Sequence, residues 1–91
     1  MTEFTKFKQE LLLNPKVLKE YEARQIEFAI AKALIKARLD AQMTQTEVAG
    51  RMKTSQSQVA RMESGHHIPS FSSVQKYAKA VNRIIHVPIN P

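Results

Sequence analysis

The chain has no cysteine, and that absence removes disulfides, thiolate zinc sites and cysteine nucleophiles together, making a reducing compartment, the cytoplasm, the expected one. Glycine stands only at positions 50 and 65, which leaves no glycine-rich loop to cradle a phosphate, so nucleotide hydrolysis is not expected. Long apolar runs are missing too. The longest, around residues 28 to 35, is interrupted by Lys32 and falls well short of the ~18 residues a membrane span needs. Residues 1 to 10 carry two Glu and two Lys and no apolar core, so no secretory signal is expected there.

Acidic residues are scarce, and their scarcity is local. Up to Glu27 the chain carries five basic and five acidic residues; from Phe28 onward it carries nine Lys and Arg against three Asp and Glu, so the whole net charge of +6 sits in the later part. A basic excess confined to one segment points to a polyanionic partner for it, phosphate backbones being the commonest. A merely basic solvated surface is the other reading, and charge alone leaves both open.

What the chain does have is helical periodicity, and the expected class is all-α, with five to six helices and one short extended tail. A first helix is predicted from about Glu3 to Leu13, ended by Asn14-Pro15, and a second from there to about Arg24. In the third, Ile26, Ile30, Ala33, Leu34 and Ala37 form one apolar stripe and Phe28, Ala31, Ile35 and Leu39 a second, which predicts burial on two sides. Thr44-x-x-Glu47 is a capping box, and Ser55-Gln56-Ser57-Gln58 repeats the pattern eleven residues later, so the helix between is about two turns long. Gly65 stops the next helix, and Pro69-Ser70 opens a last one with Phe71, Val74, Tyr77, Ala78 and Val81 on one face. The β-branched run from Arg83 to Ile89, broken by Pro88, fits a short edge strand whose partner would be another copy or a different protein.

Between Thr44 and Gly65 the pattern carries chemistry. Val48, Met52, Val59 and Met62 are apolar and Ala49 is small where two crossing helices would touch, while Gln45, Ser55, Gln56, Ser57, Gln58 and Arg61 are left facing out. A plain solvated face is more often Glu and Lys. Amides, hydroxyls and a guanidinium suit base edges and phosphates: Gln bonds adenine in a bidentate way, Arg bonds guanine similarly, and Ser or a helix N-terminus holds phosphate. Gln56, Ser57 and Arg61 are therefore the expected base contacts, with Gln58 a lesser candidate; Thr44, Gln45, Ser55 and Lys53 are the expected phosphate contacts. A helical corner that only builds a core, in a protein-interaction module, is the alternative.

With Thr44-Gln45-x-Glu47-Val48-Ala49, Ser55-Gln56-Ser57, Arg61-Met62-Glu63-Ser64-Gly65 and Pro69-Ser70 in register, the chain resembles the XRE (Cro/C1-type) helix-turn-helix proteins over about residues 26 to 81. The resemblance implies a lambda-repressor-like core over residues 25 to 82, a homodimer on a near-palindromic double-stranded DNA operator, and a structural ion pair at Arg38 and Glu63. The family usually has glycine in the turn where this chain has Lys53, which a non-glycine residue tolerates at modest cost. Leu12-Leu13-Asn14-Pro15 and the extended tail, residues 83 to 91, make the whole chain similar to HigA-type antitoxins of type II toxin-antitoxin pairs. That likeness implies a repressor of its own operon which also neutralises a RelE/ParE-like mRNA-cleaving toxin, with residues 1 to 24 as a surface for the toxin or for a dimer; the other reading of those residues is that they simply cover the third helix. A phage-type or metabolic repressor without a toxin is the alternative.

No catalytic, metal or cofactor role is expected. His66 and His67 are adjacent in a loop and His86 has no carboxylate or thiol at ligand spacing, while the serines between 55 and 73 sit at caps and turns without a base beside them.

Overall fold

A computed structural model describes residues 13 to 88. Four helices lie within them: α1 (Pro15–Asp40), α2 (Gln45–Met52), α3 (Gln56–Met62) and α4 (Phe71–Val81). The all-helical class holds, but the expected second and third helices are one. Between Arg24 and Ile26 there is no Gly, Pro or capping residue, and Glu, Ala, Arg and Gln all favour helix, so nothing ends the first before the next begins. The helix expected from Glu3 to Leu13 falls almost wholly outside the described residues.

Each start is made by a short polar side chain. Asn14 Oδ1 accepts from the amides of Lys16 and Val17 with Pro15 at the first position. Thr44 and Glu47 complete a reciprocal capping box. Ser55 and Ser70 accept from the amides three residues on, Gln58 and Ser73. The ends rely on left-handed residues: Gln42 turns the chain after α1, Lys53 is the cap of α2 at φ 59°, and Asn82 is the cap of α4. Lys53 thus takes the backbone conformation for which glycine is usual.

The core is small and comes from all four helices: Leu34 and Ala37 of α1, Val48 and Ala49 of α2, Val59 and Met62 of α3, Tyr77, Ala80 and Val81 of α4, with Met43 closing the loop side. Leu34, Val48, Val59 and Tyr77 are fully buried, so truncating Leu34 to Ala costs about 2–5 kcal/mol. Of the first α1 stripe, Ala33, Leu34 and Ala37 are buried and Ile30 packs against the core, while Ile26 is only partly covered. In the second, Ala31 is covered beside the Gly65 loop, but Phe28 is 62% and Leu39 60% exposed, because no helix among the described residues packs over that side. Phe71, expected on the buried face of α4, is 78% exposed for the same reason. Gly65 lies in the loop after α3 with φ 77°, and backbone conformation rather than space requires glycine there, since an added Cβ would meet Phe28 and Ala31 only at ordinary contact distance.

No residue of α1 before Ala31 is buried. A helix of this length spans about 39 Å at 1.5 Å per residue, whereas the molecule measures 47 × 21 × 21 Å, so the first half of α1 projects beyond the core. The expected C-terminal strand is absent among the described residues. Residues 84 to 88 lie outside any helix or strand, because a β-branched run needs a sheet edge to pair with and an all-helical core offers none. Ile85 instead rests against the core, and the Arg83 guanidinium donates to the carbonyl of Asp40.

Candidate nucleic-acid interface

The local sequence forces α2 and α3 into a fixed relation. α2 ends after two turns at Lys53, the Thr54 amide donates back to the carbonyl of Ala49, and Ser55 caps α3 at once. Their apolar sides, Val48, Ala49, Val59 and Met62, are buried together. The remaining side of α3 presents Gln56, Ser57, Gln58 and Arg61, all exposed. Gln58 and Arg61, like Ser57 and Arg61, are spaced to share one strip of helix surface. Thr44 and Ser55 stand at the N-caps of α2 and α3; each hydroxyl accepts from a helix amide and keeps its own O–H to donate. Lys53 is exposed in the turn between them.

Beneath this face lies a polar network centred on Glu63, the one buried charged residue among those described. Arg38 donates from Nε and from its terminal nitrogen to the carboxylate, with the ion pair at 2.9 Å, and its other terminal nitrogen donates to the carbonyl of Met43. Tyr77 reaches the same carboxylate at 2.7 Å and the carbonyl of Leu34 at 2.8 Å. Gln45 donates its side-chain amide to Glu63 at 3.1 Å. Burial alone would push the Glu63 carboxyl up, but hydrogen bonds from Arg38, Tyr77 and Gln45 outweigh it and hold it below the ordinary carboxylate range. Burial and the neighbouring carboxylate push the Tyr77 phenol up, and the hydrogen bond to Glu63 strengthens the hold of Arg38 on its proton.

The charge of Glu63 fixes polarity as far as the exposed face. A carboxylate only accepts, so Gln45 must turn its NH₂ inward and its carbonyl oxygen outward. That oxygen accepts from Gln56 Nε2 at 2.7 Å. Gln56 is left with one N–H and its carbonyl oxygen for an outside partner, the donor and acceptor pair that the major-groove edge of adenine requires. Gln45, expected as a phosphate contact, is half-buried between Glu63 and Gln56 and keeps one amide hydrogen for that use.

Sequence reasoning missed two members of this arrangement. Tyr77 was read only as part of an apolar face, although a buried tyrosine hydroxyl needs a partner, and that need was the available signal. Arg51, which is not among the outward residues read from the sequence, donates to the carbonyl of Ala80 and ties α2 to the end of α4. Among the described residues no cluster of His, Asp and Glu is grouped to hold a metal, and no helix is long and apolar enough to cross a membrane.

A family model described as Helix-turn-helix matches residues 34–83, more than half of the chain, and so takes in the last two turns of α1, all of α2, α3 and α4, and every candidate contact residue. No curated protein and no solved structure matches the chain.

Proposed function

The chain belongs to the XRE-type helix-turn-helix family of DNA-binding regulators, and from that premise we propose that it is a sequence-specific transcriptional repressor that acts as a two-fold dimer with α3 in the major groove of each half-site. The observation that carries this reading is the chain of bonds from Arg38 through Glu63 and Gln45 to Gln56, which leaves Gln56 oriented as a reader of adenine. Gln56, Ser57 and Arg61, with Gln58, are the base contacts; Thr44, Ser55 and Lys53, with the remaining amide hydrogen of Gln45, hold the backbone. A two-fold dimer of this unit calls for a near-palindromic operator with half-site centres about 10 base pairs apart. The working test is Arg61→Ala, which should cost about 1–3 kcal/mol on the preferred site and relax preference at one position. Equal loss on random DNA contradicts a base contact for Arg61.

One feature favours a narrower reading, in which the repressor is also the antitoxin of a type II pair and holds a RelE/ParE-like toxin. The projecting half of α1 exposes Val17, Leu13 is exposed just before its cap Asn14, Phe28 is exposed where the helix reaches the core, and the segment up to Glu27 has no net charge, which suits a protein surface better than DNA. Co-expression with the product of a neighbouring toxin gene, followed by purification of a complex that Val17→Asp and Phe28→Asp abolish while DNA binding persists, is the supporting outcome. A complex that survives both changes places the toxin elsewhere.

A further inference from the structure

Nine Lys and Arg lie from Phe28 onward, and among the described residues two of them, Lys36 and Arg38, are engaged in ion pairs. Four of the other seven converge on one open cleft of about 420 Å³ between the ends of α2 and α4: Arg51, Lys53, Lys76 and Lys79, over a floor of Met52 and Ala80. Among the described residues no carboxylate lines it. The position of Arg51, Lys53 and Lys79 in or just after the last turns of α2 and α4 suits the negative ends of the two helices. That does not require the two ends to face one cleft, nor Lys76 a turn earlier on the same face as Lys79. Nor does it require the Arg51 guanidinium to be fixed on the carbonyl of Ala80, 3.1 Å away across the cleft floor. A guanidinium bonded to the backbone with three exposed ammonium groups around it is a positive concavity, and such a surface raises the local concentration of a polyanion.

We propose that this cleft is an auxiliary clamp for the nucleic-acid phosphate backbone, gripping duplex outside the bases that α3 reads. The proposal rests on the reading of the protein as a DNA binder, and Lys53 connects the two, since it lines the cleft and also forms the turn that leads to Ser55 at the cap of α3. The clamp is indifferent to sequence, so its contribution appears on any duplex and its loss leaves discrimination untouched.

The test uses the full chain and a random-sequence duplex of about 30 base pairs, with affinity measured between about 50 and 200 mM salt. Lys76→Gln with Lys79→Gln should make the slope of log affinity against log salt shallower by about two, since each phosphate contact contributes about 0.9. Lys32→Gln with Lys36→Gln removes the same charge from α1 and should leave the slope unchanged. An unchanged slope in a cleft variant that melts like the parent overturns the proposal, and so does an equal effect from the α1 pair. Failure of the base-reading assignment looks different: there Gln56→Ala leaves the ratio of promoter to random affinity intact, whereas the cleft variant bears on the slope alone.

Discussion

Tyr77 donates its hydroxyl at 2.7 Å to the carboxylate of Glu63 and stands 2.8 Å from the carbonyl of Leu34, so one phenol on α4 binds the end of α3 to the middle of α1. Tyr77→Phe keeps the ring and removes the hydroxyl that reaches both acceptors. Unfolding in urea should show a loss of about 1.5–3 kcal/mol, the net worth of a hydrogen bond to a charged group. A loss near zero means water takes the place of the hydroxyl and the contact does not hold the helices.

Glu63 is the acceptor for Arg38, Gln45 and Tyr77 together. Glu63→Ala leaves the half-buried guanidinium of Arg38 without its counter-charge, and removing one member of such a pair costs about 3–5 kcal/mol. Set against a total of about 5–15 kcal/mol for a domain, that is a large share. The urea midpoint should fall sharply, and part of the loss should return in a double variant, Arg38→Met with Glu63→Leu, in which no charge is left buried. A double variant as weak as the single one locates the cost in lost packing.

The same pair of groups sets the pH range. The Glu63 carboxyl is held below its ordinary value in the folded chain, so its contribution is complete above the ordinary carboxylate range and is lost as pH falls through the lower folded value. The Tyr77 phenol is raised, so its contribution is complete below about 10, its ordinary value, and is lost as pH climbs beyond it. Urea midpoints across pH should therefore show a plateau with two falling limbs. Glu63→Gln should flatten the acid limb and Tyr77→Phe the alkaline one; limbs that persist in both variants assign the pH dependence to other groups.

Lys53 caps α2 in a left-handed conformation that disfavours a side chain. Lys53→Gly should stabilise the fold by about 0.5–1 kcal/mol while removing one cation from the cleft, so the salt slope on random DNA should become shallower by about one. Thermal melting reads the first effect and the salt titration the second. A stabilised protein with an unaltered slope removes Lys53 from backbone contact.

Much of the helical order was legible because it is written in short-range chemistry. Thr44 with Glu47, Ser55, and Ser70 each announced a helix starting at the next residue, and the buried sides of α2 and α3 followed from Val48, Ala49, Val59 and Met62. The errors came where a pattern implied a partner that the described residues do not supply. Phe28 and Leu39 belong to an apolar stripe that no described helix covers, and the β-branched tail after Arg83 has no sheet edge to join among the described residues. The uninterrupted run of α1 shows the opposite lapse, a boundary inferred near Arg24 without any breaker. At the site, the outward residues of α3 are given by periodicity, whereas the route from Tyr77 and Glu63 through Gln45 to Gln56 joins residues 11 to 18 positions apart and appears only in three dimensions.

The central claim is that α3 reads base edges. Its most direct test is a titration of the full chain against DNA from its own promoter and against a scrambled duplex of equal length, each at two salt concentrations. The account predicts tighter binding to the promoter at both, with affinity for both duplexes falling steeply as salt rises. Equal affinity for the two duplexes contradicts base reading by Gln56, Ser57 and Arg61, and binding that ignores salt contradicts a nucleic-acid interface altogether.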